Sequence, residues 1–405
     1  MTDASSSAPG TRLSGGRVFL VVLTCALVAA LEGYDIQALG LAAPILTPLL
    51  HLDPVETGQV FGGSQAGVVI GALLGGLFGD WWGRRSTLVI SALVFGAFSI
   101  ATNFAHDFHS LLWIRAATGL GLGAAMPNQI GVALDVASSK DRVKVVTAVM
   151  AGTPLGGACA ALFAANFLKA YGWQSMFWLG GIIPLLLIPF ILALPNIRAH
   201  KSEDAGGANP FAVLFGGGRA LSTLLLWVGF FMTLSVLYMM LNWLPSLMTM
   251  RHFDIEVAHI ASLIFNLASV PGAILMGMAV DRFGSRWIIP LGYVGLAAGM
   301  CGLAFLVGQQ DLLIASGVTG FFLLGAQYTI NGVSPMYYPA RGRGLGTGAS
   351  IAVGRLGSVV GPMMAGYVLK AGYGPSGVAI AMLPGIAIAA VAIFILMRQA
   401  RVLAD

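Results

Sequence analysis

Glu32 and Asp35 stand three residues apart inside the first membrane-length apolar stretch, in Leu31-Glu32-Gly33-Tyr34-Asp35-Ile36. A carboxylate in hydrocarbon costs roughly 2.5–3.5 kcal/mol on insertion scales, so two in one span point to function rather than stability. Their spacing sets them on one helical face. That face is expected to look into a cavity and to handle protons or a substrate. Two arginines also fall inside apolar stretches, Arg115 and Arg355. Counted by helical rise, Arg115 and Asp35 lie at matching depths to within about a turn. An ion pair between them would offset both burial costs, either as part of the chemistry or as a plain bridge between helices. Glu32 has no equally obvious cation. A carboxyl group in an apolar cavity favours its neutral form, so Glu32 can alternate between protonated and ionised states as access switches. The alternative is an acid that stays protonated and donates one hydrogen bond. Glu32 and Asp35, with Arg115, are therefore the candidate proton-coupling group. Arg355, near the middle of its stretch, offers a planar fork suited to a carboxylate. Apart from Asp311 at the very start of one, no acid is expected in the spans of the C-terminal half. Its candidate partner is thus a substrate carboxylate, the alternatives being backbone carbonyls or an acid of the other half.

The elements that position these groups follow from composition. The chain has 405 residues, 57% hydrophobic and 9% charged, with 55 glycines, and a mean hydropathy of +0.86. Soluble domains carry about a quarter charged residues, so this is a polytopic membrane protein, with glycine serving close helix packing. Spans of about 20 apolar residues are expected at 17–40, 57–79, 86–105, 110–134, 144–168, 174–194, 220–244, 257–279, 287–307, 311–334, 344–370 and 374–397. Spans four, ten and eleven are the weakest, because of Arg115, of Gln327 with Asn331, and of Arg355. Outside the spans, every Lys and Arg except Lys169, Arg251 and Lys370 falls on the side of the N-terminus. By the positive-inside rule both termini are then cytoplasmic. The excess of 21 basic over 16 acidic residues has the same origin and does not indicate nucleic acid.

The expected organisation is a disordered tail (1–16), a six-helix bundle (17–194), a cytoplasmic linker (195–219), a second six-helix bundle (220–397) and a cytoplasmic tail (398–405). A repeat supports the division. Gly76-Leu-Phe-Gly-Asp80-Trp-Trp-Gly83-Arg84-Arg85 and Gly277-Met-Ala-Val-Asp281-Arg282-Phe-Gly284-Ser-Arg286 are both G-x3-D-x2-G-x-R, at equivalent places in the halves. An Asp near a helix end can pair with an Arg or a helix dipole across the halves, so both copies read as a cytoplasmic latch. Cys25, Cys159 and Cys301 lack metal or redox spacing and read as small buried hydrophobes. His51, His106, His109, His252 and His259 fall near loops, and His200 in the linker. Pro154, Pro184, Pro189 and Pro271 read as helix bends. No metal site, cofactor or nucleophile constellation is evident, which argues against an enzyme.

These features resemble the major facilitator superfamily, whose members are built from parallel six-helix halves. The twin loop motifs carry the likeness, as does Arg115-x3-Gly119-x-Gly121-x-Gly123 in span four. Glu32-Gly-Tyr-Asp35, Gly40-Leu-Ala-Ala-Pro44, Asn242-Trp-Leu-Pro245 and Gly354-Arg-Leu-Gly357 with Gly361-Pro362 are similar to the aromatic acid:H⁺ symporter family in particular. The sequence departs from that pattern at Trp81, where a basic residue is usual, and at Glu32 for Asp. Asp135 stands where the family usually has Glu at the cytoplasmic end of span four, and joins the latch set. The resemblance implies a monomeric transporter in the lipid bilayer of a bacterial inner membrane. It would import a small aromatic carboxylate with protons by alternating access. An aromatic substrate needs apolar walls and a few polar anchors. Tyr34, Tyr238, Asn242, Asn266, Gln327, Tyr328 and Asn331 are the candidate contacts beside Arg355. Gly152-Thr-Pro154-Leu-Gly156-Gly157 falls short of the antiporter motif of span five and favours symport. Rival readings are a carrier of aliphatic organic acids, a drug exporter, or a membrane sensor that binds aromatic acids without moving them.

Overall fold

A computed structural model of the chain describes residues 15–138, 140–195 and 209–399. The expected N-terminal tail up to residue 14, most of the expected linker with His200, and the last six residues lie outside this set. Thirteen helices are described: α1 (Gly15–Leu49), α2 (Pro54–Trp82), α3 (Arg84–Ala101), α4 (Phe108–Val136), α5 (Arg142–Tyr171), α6 (Gln174–Leu192), the short α7 (Pro210–Phe215), α8 (Ala220–Thr249), α9 (Ile255–Phe283), α10 (Ser285–Phe305), α11 (Gln309–Val333), α12 (Arg343–Lys370) and α13 (Gly374–Leu396). Eleven are long and apolar enough to cross a membrane. The twelfth long helix, α4, has 29 residues but is diluted by Arg115, Asn128 and Gln129.

Local chemistry sets the boundaries. Asp53 caps α2 reciprocally with Glu56, Oδ1 accepting from the Glu56 amide and Glu56 Oε2 from the Asp53 amide. Pro54 then occupies the first turn, where its missing N–H costs nothing. Asp107 and Ser110 make the same box for α4. The first span outruns its expected end at residue 40. Pro44 and Pro48 sit within α1, which continues to Leu49, as membrane helices tolerate when neighbours satisfy the freed carbonyls. The expected linker contains α7, whose last carbonyls at Ala212 and Val213 accept from the Arg219 guanidinium. His259, expected near a loop, is instead buried within α9. Cys159 is exposed rather than buried.

The two halves pack by one plan. In the first, α1 lies on α5, α2 on α4, and α3 on α4 and α6. In the second, α8 lies on α12, α9 on α11, and α10 on α11 and α13. Contacts between halves repeat that symmetry: α2 meets α12, α5 meets α9, and α1 meets α8. The α2–α12 seam needs glycine, because a Cβ at Gly58 would stand 2.9 Å from the Pro362 carbonyl oxygen. The twin motif also has a conformational cause. Gly83 and Gly284 join α2 to α3 and α9 to α10 at φ of 92° and 85°, a region that L side chains rarely adopt.

Polar contacts between the halves gather towards one end of the bundle. Lys370 Nζ lies 2.8 Å from Asp53 Oδ2, and Lys169 Nζ 3.1 Å from Glu256 Oε1. A His259 ring nitrogen lies 3.0 Å from the Leu41 carbonyl. Deeper in, the amides of Gln37 and Asn266 bond each other reciprocally at 2.7 and 2.8 Å. At the opposite end Arg84 pairs with Asp135 at 2.6 Å, within the first half. Arg282 and Arg286 lie over the rings of their neighbours Phe283 and Trp287. Asp80 and Asp281 are exposed and make no ion pair among the described residues. Among the described residues, the polar contacts that fasten the halves thus lie towards one end of the bundle.

Candidate functional site

Between the halves lies a cavity of about 960 Å³, counting its open mouth. Helical periodicity builds its walls. On α8 the lining positions are Leu234, Leu237, Tyr238 and Leu241, and on α11 Leu324, Gln327, Tyr328 and Asn331. Both sets are i, i+3, i+4, i+7 stripes, one face of each helix. Gly33, Ile36 and Gln37 of α1 and Met150, Thr153 and Pro154 of α5 supply shorter stripes, joined by Met126, Asn266, Ile351 and Arg355. The walls are largely aliphatic, with methionine and tyrosine. Such walls suit an apolar ligand held by a few polar anchors.

Arg355 is the only charged residue among those lining positions. Its Nη1 donates to the Tyr238 hydroxyl at 2.7 Å, and its Nη2 lies 3.0 Å from Met126 Sδ of the other half. No carboxylate pairs with it directly among the described residues. Glu32 is buried, with 1% exposure. Gln129 Nε2 donates to its Oε2 at 3.1 Å, while its Oε1 has no partner among the described residues.

One helical turn further, Asp35 and Arg115 form a two-pronged ion pair at 2.7 and 3.3 Å, both side chains fully buried. The Ser99 hydroxyl donates to Asp35 Oδ1 at 2.7 Å, and the Arg115 guanidinium lies over the Phe177 ring at 5.5 Å. The paired oxygens and both terminal guanidinium nitrogens are thus engaged, which makes a buried pair tolerable, while Arg115 Nε has no partner among the described residues. The pair sits outside the cavity wall.

Of the candidate contacts, Tyr238, Asn266, Gln327, Tyr328, Asn331 and Arg355 line the cavity; Tyr34 and Asn242 do not. The Tyr34 hydroxyl points to Met176 Sδ, and Asn242 Nδ2 returns to the Tyr238 carbonyl. Pro154, read only as a bend, lines the cavity. Sequence reasoning missed Gln37, the partner of Asn266 across the halves, and Gln129, the partner of Glu32. The signal in the sequence was weak. An amide inside a span must find a hydrogen bond, but nothing says where, and although Gln37 lies two residues from Asp35, Gln129 lies six from both Gly123 and Asp135.

The fold and this central cavity define a membrane transporter, not an enzyme. The chain belongs to the Major Facilitator Superfamily, whose profile matches residues 25–263 and 248–403. Among curated relatives, it is 37% identical over 392 residues to the 3-(3-hydroxy-phenyl)propionate transporter of Escherichia coli, covering 96% of each chain. It is 32% identical to the 4-hydroxybenzoate transporter PcaK of Pseudomonas aeruginosa, covering 87% of this chain and 86% of that one. Its fold is similar to the inward-facing, unoccupied structure of a bacterial homologue of the human lysosomal transporter Spinster. The TM-score is 0.79 at 16% identity, over 95% of this chain and 98% of that one.

Proposed function

We propose that this protein imports an aromatic carboxylate together with protons, by alternating access, across a bacterial inner membrane. The termini face the cytoplasm, so the fastened end of the bundle faces outward and the cavity opens inward. The observation that carries the reading is the composition of the cavity. Aliphatic and aromatic walls surround one guanidinium that has no direct carboxylate partner among the described residues, and the buried Glu32 has one oxygen without a partner there. The relatives named for hydroxylated aromatic acids agree with it.

In this mechanism the substrate carboxylate takes the fork of Arg355, which Tyr238 holds in place. Glu32 loads and releases the proton. When it is ionised, the Arg355 charge is partly engaged with it. When it is protonated, that charge is free for the substrate. The Asp35–Arg115 pair fixes α1 against α4. The two halves rock about the cavity. Outward closure is held by the four contacts between halves, and inward closure by the twin latch motifs.

The test is uptake by purified protein in proteoliposomes with an inward proton gradient. Radiolabelled 3-(3-hydroxyphenyl)propionate and 4-hydroxybenzoate should accumulate, while an aliphatic acid and a lipophilic cation should not. Equal uptake of the aliphatic acid would overturn the aromatic assignment.

A further inference from the structure

The four polar contacts that join the halves are not equal. Lys370–Asp53 and Lys169–Glu256 are made by exposed side chains at the rim, where an ion pair contributes little. His259 reaches only a backbone carbonyl, that of Leu41. Gln37 and Asn266 differ from these. Their side chains are 4% and 2% exposed, and each amide donates to the oxygen of the other. Parting them in a dry seam would strand two donors and two acceptors. The pair can therefore open only as water enters.

Its place is the outward limit of the cavity. On α1 the lining positions end at Gln37, and on α8 at Leu241. One turn beyond Gln37 these two helices close on each other, where a Cβ at Gly40 would stand 2.7 Å from the Asn242 carbonyl oxygen. Helix α5 is shaped around the pair. A Cβ at Gly157 would run into Gln37 Nε2 and stand 2.9 Å from Asn266 Oδ1. The neighbouring Gly156 faces elsewhere, and a Cβ there would strike the Ala30 carbonyl of the same half. Adjacent glycines of span five thus have separate causes. Gly156 lets α5 lie on α1, whereas Gly157 leaves a socket for the amides that join the halves.

We infer that the Gln37–Asn266 pair is the occluding gate on the outward side of the transport site, and that Gly157 is the positioning residue that lets it form. A ligand arriving from outside passes this pair, and transport requires the pair to reform above it. The inference rests on the alternating-access reading and adds three residues to it.

The experiment reads access to the cavity from outside. Leu241→Cys, in a chain whose three native cysteines are replaced by Ala, is labelled in right-side-out vesicles with a membrane-impermeant thiol reagent. Gln37→Leu, Asn266→Leu and Gly157→Ala should each speed labelling about tenfold, the scale of two lost hydrogen bonds. Exchanging the pair, Gln37→Asn with Asn266→Gln, restores two amides of the same combined length and should return labelling towards the parent rate. Gly157→Ala should add nothing to Gln37→Ala, because the side chain that it strikes is gone. Labelling unchanged in Gln37→Leu and Asn266→Leu would overturn the gate, as would an exchanged pair no slower than Gln37→Leu. Full additivity of Gly157→Ala with Gln37→Ala would overturn the positioning role. Gly58→Leu judges alternating access separately, since it forces α2 from α12 at the Pro362 carbonyl without touching the pair. Faster labelling in Gly58→Leu but not in Gln37→Leu sinks this inference alone, and faster labelling in neither sinks both. Should Gly157→Ala fail to reach the membrane, the amide variants and their exchange decide.

Discussion

Asp35 and Arg115 have no exposure to water at all, which makes them costly to separate. Removing one partner of a buried pair costs about 3–5 kcal/mol, because the other charge stays behind unpaired. Asp35→Asn should therefore lower the melting temperature in detergent by several degrees, while joint replacement by Asn and Met should recover most of it. A single variant that melts like the wild type would contradict the pairing. At the proposed transport site, Arg355→Lys loses the fork and should raise KM for the carboxylate about tenfold or more; unchanged affinity would dismiss the clamp. Glu32, Asp35, Arg115 and Arg355 were legible in the sequence because a charge in an apolar run is rare. Gln37, Gln129 and Ser99 were not. A single neutral polar group in a span is ordinary packing until its partner across the fold is known, and those partners are as much as 229 residues away. Tyr34 and Asn242 show the converse, since neither their type nor their position in a span revealed which way they face.

At the scale of elements, outward closure depends on α2 and α12 meeting through glycine. Gly58→Leu would drive a side chain into the Pro362 carbonyl and should favour the outward-open state. Labelling of a cysteine placed at Thr47, near that seam, should then speed up. The Asp53–Lys370 pair closes the same end. The hydrogen bond from Lys370, with that from the Glu56 amide, holds the Asp53 carboxyl below the usual aspartate range, about 3.9. A carboxyl with a lowered value in the closed state stabilises that state above its usual value, and the benefit is lost as pH falls through the lowered one. This pair should therefore leave closure insensitive between about pH 5 and 8. Asp53→Asn keeps the helix cap but removes the charge, and should speed labelling throughout that range. Labelling that slows in this variant would contradict the gate. The sequence revealed nearly every helix, because apolar runs of membrane length are distinctive. It misplaced the end of α1, expected at residue 40, because the helix runs on through Pro44 and Pro48 to Leu49.

For the whole molecule, the twin motifs already indicated two halves, and the matching packing plans express that repeat in three dimensions. Which end is fastened was not legible. It depends on pairs such as Lys169–Glu256 that join distant helices and that surface composition does not distinguish from solvated charges. Cysteines at positions 169 and 256, once oxidised to a disulfide, should stop transport, and a reductant should restore it. Continued transport with the bridge formed would exclude rocking about this seam. The central claim is that Glu32 couples proton movement to uptake of an aromatic carboxylate. Its most direct measurement is accumulation of 3-(3-hydroxyphenyl)propionate in proteoliposomes under an inward proton gradient, for the wild-type chain and Glu32→Gln. The account predicts wild-type accumulation that collapses with a protonophore, and a variant that exchanges substrate but does not concentrate it. Gradient-driven accumulation by Glu32→Gln, or wild-type uptake indifferent to the protonophore, would contradict it.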